Sequence, residues 1–183
     1  MSGQHSLISF PLVAVALTAL SACAPQPYGV RETVHMFNSD KYSAVDIRDS
    51  FKGNTVLFND SSHGTQIEYF APDGRAYLWY PGNTSAVRGL WKVQKEPKKA
   101  AQICFKYPQS SYNPITKQRG GKWECNFHAI VSNTAKAVVA GDPFSLGTGR
   151  IPVPLPKERT LSLDQVVAMT PSDENLKYLY KRR

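Results

Sequence analysis

The chain has 183 residues, is 42% hydrophobic, and sets 22 Lys and Arg against 14 Asp and Glu for a formal charge of +8. That length suits one domain with a core of its own, and 9 Tyr, 8 Phe and 3 Trp exclude a chain disordered anywhere but near its two ends. The charge balance favours anionic partners (lipid headgroups, acidic glycans, nucleic acid, acidic proteins), with plain solubility as the alternative.

The first 22 residues hold no Lys, Arg, Asp or Glu. Leu7 to Leu20 reads LISFPLVAVALTAL, too short an apolar run to span a bilayer and suited to the hydrophobic region of an export signal. Small residues follow at Ser21 and Ala22, then Cys23. The residues alone leave ordinary cleavage after Ala24 open, although Pro25 would then come first. Leu20-Ser21-Ala22-Cys23 resembles the lipobox of bacterial lipoproteins: an aliphatic residue, two small ones, then Cys. The resemblance covers about 22 residues and implies cleavage after Ala22 and a diacylglycerol on the Cys23 thiol. It implies a membrane held through two or three acyl chains, enough for stable anchoring. Ala24, in place of an Asp after the Cys, implies the periplasmic face of the outer membrane.

Beyond this signal, residues 23–42 read as a tether, 43–140 as an antiparallel β domain, and 141–183 as a Pro-rich loop with short closing helices. A helix is expected over Ala44–Lys52, with Ser43 and Asp46 as a capping box and Gly53 as its stop. Short strands follow at Thr55–Asn59, Gln66–Phe70, Ala76–Tyr80, Arg88–Gln94, Gln102–Tyr107, Lys122–Val131 and Ala135–Ala140. Pro72-Asp73-Gly74 marks the clearest hairpin. Strands so close together, with no helical pattern between them, predict a mainly β fold: an antiparallel meander, curled or half-barrel in a lipocalin-like way, with short flanking helices. Gly141–Arg150 lacks the Gly-Lys-Ser/Thr ending of a phosphate loop and reads as surface. Ser162 and Gln165 can cap a helix over Leu163–Met169, and Thr170-Pro171 a last one ending near Tyr180.

Setting Cys23 aside leaves Cys104 and Cys125, an even pair that suggests one disulfide in an exported chain. The order of the 43–132 segment is also similar to a family of small exported proteobacterial proteins of unknown function. Gly89-Leu90-Trp91 precedes two Cys-bearing strands, Ile103-Cys104 and Trp123-Glu124-Cys125. That likeness implies fold and compartment only.

No residues form a catalytic constellation: HExxH and GxSxG are missing, and no CxxC or His-x-His spacing suggests a metal or other cofactor. The strand aromatics Tyr77, Trp79, Trp91, Phe105, Tyr107, Trp123 and Phe127 are either core or the lining of a ligand cup. Lys92, Lys95, Lys98 and Lys99 form the densest basic cluster, a possible anion-binding face. These readings predict a non-enzymatic, membrane-anchored envelope lipoprotein that binds an envelope protein or anionic polymer, with no nucleic acid partner. A carrier of a small apolar or lipidic ligand is the second reading, and a periplasmic hydrolase the third. Mass determination of the mature N-terminus tests the anchor: a diacylglyceryl-modified Cys23 is expected in the native protein and none in Cys23→Ala. Retention of Met1 with a bare thiol would contradict it.

Overall fold

The computed structural model describes residues 42–171 apart from Lys98 and Glu158. The signal segment, the tether up to Lys41, the lipidation candidate Cys23 and the last expected helix lie outside the described residues. Among the described residues no helix is long and apolar enough to cross a membrane.

Helix α1 (Ala44–Phe51) opens as expected: Ser43 Oγ accepts the Asp46 N–H while the Asp46 carboxylate accepts the Ser43 N–H. Strands β1 (Asn54–Asp60), β2 (Gly64–Phe70), β3 (Arg75–Trp79), β4 (Val87–Gln94) and β5 (Gln102–Lys106) form a continuous antiparallel meander. At the β2–β3 hairpin the Ala71 N–H donates to Arg75 O, and Asp73 takes the Arg75 N–H. A small hairpin, β6 (Tyr112–Asn113) with β7 (Gln118–Arg119), precedes β8 (Glu124–Phe127), which pairs with β5. Helix α2 (His128–Thr134) then leads into β9 (Ala135–Ala140), which pairs with β1.

The strand order is β8-β5-β4-β3-β2-β1-β9, so α2 joins the two opposite edges of one seven-stranded sheet. Laid flat, those edges would stand about 29 Å apart. Seven residues of helix span only about 10 Å. The sheet must therefore curl into a half-barrel, and α2 bridges the seam, touching β1, β5, β8 and β9.

The expected strand over Lys122–Val131 is corrected here: it ends at Phe127 and the rest is α2. Its Ile-Val pair favours a strand locally, but His128 and Ser132 are both buried, and that i,i+4 spacing suits one face of a helix.

Curling gives the sheet two separately filled faces. Inside, α1 plugs one end: Ile47 and Phe51 pack on Val56, Phe70, Ala76 and Trp91. The Phe51 and Phe70 rings lie 4.8 Å apart, and Trp91 Nε1 donates to Ala71 O at 3.1 Å. Outside, the segment after β9 runs as a strap across β1–β3. A single 3-10 turn (Leu146–Thr148) and helix α3 (Leu163–Met169) help it place Phe144, Leu146, Leu155, Leu161 and Val166 on Leu57, Ile67, Tyr77 and Trp79. Its backbone is tied down as well: Thr65 N–H donates to Arg159 O, Gly82 N–H to Leu155 O, and Leu161 N–H to Thr65 Oγ1.

Cys104 and Cys125 face each other across β5 and β8 and are joined by a disulfide with a sequence separation of 21. A loop of that size contributes about 3 kcal/mol through the entropy of the unfolded chain. The bond fastens the edge strand next to α2.

Candidate functional site

The end of the half-barrel that α1 leaves free is a cup of about 790 Å³. Its walls are the inward residues of the sheet: Phe58 on β1, Gln66 and Glu68 on β2, Leu78 on β3, Val87 on β4 and Phe105 on β5. Ile130, Val131 and Thr134 of α2 form one side, and Tyr112, Asn113 and Pro114 of the small hairpin form part of the rim. The size is that of a small-molecule site.

Glu68 is the unexpected member. It sits on β2 between Val56 of β1 and Leu78 of β3, and only 3% of it is exposed. The Tyr107 hydroxyl donates to Glu68 Oε1 at 2.6 Å. Strands β3 and β4 stand between β2 and β5, a separation of about 14 Å in a flat sheet, so only the curl lets the two side chains meet. Gly89 on β4 makes the crossing possible. A Cβ there would come within 2.6 Å of the Tyr107 ring, so the glycine of the Gly89-Leu90-Trp91 motif is the space over which Tyr107 lies. Phe105 and Tyr107 stack with centroids 6.2 Å apart.

Burial pushes the Glu68 carboxyl up to about 8, against the opposing effect of the Tyr107 hydrogen bond. Burial, then the neighbouring charges of Glu68 and Glu124, holds the Tyr107 phenol well above its ordinary value, so it stays a donor. At the rim, His63 Nδ1 and Tyr80 Oη are hydrogen-bonded at 2.8 Å. Asp60 resists partial burial by accepting the N–H groups of Ser62 and His63. Among the described residues no group of His, Cys, Asp and Glu is placed to hold a metal ion.

Of the aromatics expected to line a cup, Phe105 and Tyr107 do so. Tyr77 and Trp79 point the other way and are buried under the strap, Trp79 against Phe144 at 5.5 Å. Trp91 belongs to the inner packing around α1. Trp123 and Phe127 are exposed. Alternation sorts these residues by face, but the curl decides which face becomes the interior.

The expected basic cluster is dispersed in the same way. Lys92 lies over the Trp123 ring at 4.8 Å, Lys95 is exposed beyond β4, and Lys99 pairs with Glu96, while Lys98 is outside the described residues. A different basic group forms on the outer face instead. Arg75, Arg88 and Lys106 come from three adjacent strands and border a shallow cleft of about 570 Å³. The register Arg75↔Leu90↔Lys106 and Tyr77↔Arg88 brings them together. In the Gly141–Arg150 loop the Asp142 carboxylate takes the N–H groups of Leu146 and Gly147, so these donors already have an anion of their own.

Comparison with family models, with curated proteins and with solved structures returns no match.

Glu68 links this site to stability. Its folded value of about 8 exceeds the ordinary 4.5, so the folded state holds the extra proton between those values. The carboxyl's contribution is complete below the unfolded value and is lost as pH rises through the folded one. Relative to Glu68→Gln, the wild type is expected to lose stability from about pH 5 to about pH 8, by at most about 1.4 kcal/mol per pH unit. Denaturant titrations of both proteins across that range measure it. A gap that stays constant would mean that the carboxyl is not buried in the folded protein.

Proposed function

We propose that this chain is a lipid-anchored envelope protein whose β domain binds a small, largely apolar ligand in the cup without transforming it. The cup of about 790 Å³ carries the reading: Phe58, Leu78, Val87, Phe105 and Ile130 give it apolar wall, polar residues such as Asp60, Asn113 and Glu124 share the lining, and the Glu68–Tyr107 pair is a buried polar anchor. Such a pattern fixes an apolar body and orients it through one polar contact. The anchor rests on the lipobox resemblance at Leu20–Cys23, and the paired Cys104 and Cys125 suit an oxidising compartment.

A second reading keeps the outer face as a docking surface for an acidic polymer or protein. The specific support is the Arg75, Arg88 and Lys106 cleft, although one Arg88 Nη already donates to Thr148 O. The cup is the better-formed of the two, being enclosed on several sides by the sheet and α2.

N-phenyl-1-naphthylamine, an uncharged apolar fluorophore at neutral pH, tests the cup. Saturable fluorescence enhancement at one site is expected with the full-length protein. Gln66→Trp, which fills the cup from β2, is expected to abolish it with little change in melting temperature. Non-saturable signal, or equal signal from a folded Gln66→Trp protein, would overturn the reading.

A further inference from the structure

The proposed cup is acidic where the protein as a whole is basic, through Asp60 and Glu124 at its rim and through Glu68 below them once it gives up its proton. The chain carries +8, yet the carboxyl groups facing the cavity are Asp60, Glu68 and Glu124, against one Lys157 and the hydrogen-bonded His63. Lys157 is exposed at the rim, as is Glu124, and Asp60 is half-buried there; Glu68 alone is deep. Among the described residues no Lys or Arg lies within ion-pair distance of any of the three carboxyls. Glu68 is thus a buried acidic side chain that lines the cavity, holds one neutral donor in Tyr107, and has no cation to balance it. A carboxyl kept in a low-dielectric interior without a counter-charge is costly, and a protein interior of this kind can avoid the cost with an apolar residue of similar size. Val56 and Leu78, its neighbours on the same face, are such residues.

The surrounding rings add a second observation, independent of the acids. Phe58, Tyr80, Phe105, Tyr107 and Tyr112 all line the same cavity. The faces of aromatic rings attract cations, most strongly where water is excluded, and their bodies accept alkyl chains. An aromatic wall with a carboxyl at its base has the chemistry of an organic-cation site.

Resting on the cup reading, we propose that the ligand is an amphipathic organic cation, an alkylammonium whose charged head meets Glu68 and whose apolar body lies along Phe58, Leu78 and Phe105. A neutral chain of the same length fits the walls but offers Glu68 only a hydrogen bond, and an anionic one brings a negative charge to a cavity whose rim already holds Asp60 and Glu124. The Tyr107 hydroxyl, already bonded to Oε1, positions the carboxyl and leaves Oε2 for the incoming head, and pairing with that positive charge releases the Glu68 proton to solvent.

Competition against N-phenyl-1-naphthylamine in the full-length protein, below micellar concentrations, separates the possibilities. Octyltrimethylammonium is expected to displace the probe at about tenfold lower concentration than octanol, with octanoate weakest. Glu68→Gln retains an acceptor for Tyr107 and should keep probe binding, while bringing octyltrimethylammonium and octanol within about threefold of each other. If octanol or octanoate competes as well as the cation in the wild type, or if Glu68→Gln leaves the preference intact, cation recognition is wrong and the cup stands. If the probe itself never binds, the cup reading fails first.

Discussion

One short connection governs this molecule. Helix α2, seven residues long, has to carry the chain from β8 to β9, and those strands are the two edges of the same sheet. A flat sheet cannot meet that condition, so the strands curl until the edges approach across the helix. Closure also deals with an old weakness of open sheets: both edges sit beside α2 rather than lying far apart as free templates for another chain. The disulfide between β5 and β8 holds the strand from which α2 departs.

Everything functional follows from having an inside. The outer face is covered over β1–β3 by the strap, which contributes its own apolar residues and leaves the basic strip of Arg75, Arg88 and Lys106 open on β3–β5. Among the described residues, the inner face receives α1 at one end and nothing of comparable bulk at the other. Side chains that would be far apart in a flat sheet converge there, and the hydrogen bond from Tyr107 to Glu68 is the clearest case. The same convergence strips water from Glu68, which is why its carboxyl keeps its proton well beyond the range of an ordinary glutamate.

Local chemistry was legible where it is written in neighbouring residues. The Ser43 and Ser162 capping boxes, the Pro72-Asp73-Gly74 hairpin and most strand positions could be read from side chains a few places apart. The mainly β, curled meander could be read too, because seven short runs with no helical pattern between them leave few alternatives. What could not be read depends on long-range geometry. In Gln66-Ile67-Glu68-Tyr69-Phe70, Glu68 looks like the solvated side of a half-buried strand, and only the strands folding round from β5 make it interior. Phe105 and Tyr77 look equivalent for the same reason. The strap has no period to detect, since Phe144, Leu146, Leu155 and Leu161 are spaced by the path of the chain rather than by a helix or strand. The α2 signal was present in the i,i+4 pair His128 and Ser132, but both residues are polar, so a search for apolar periodicity passes over them.

Closure by α2 leaves, among the described residues, a buried interior carboxyl with no Lys or Arg within ion-pair distance. A carbon-13 NMR titration of the Glu68 side-chain carboxyl in the intact protein measures this directly. A midpoint near 8 is expected without ligand, falling toward the ordinary glutamate value as octyltrimethylammonium is added. A midpoint already near 4.5 in the free protein, unmoved by the cation, would mean that Glu68 faces water and that the interior described here does not exist in solution.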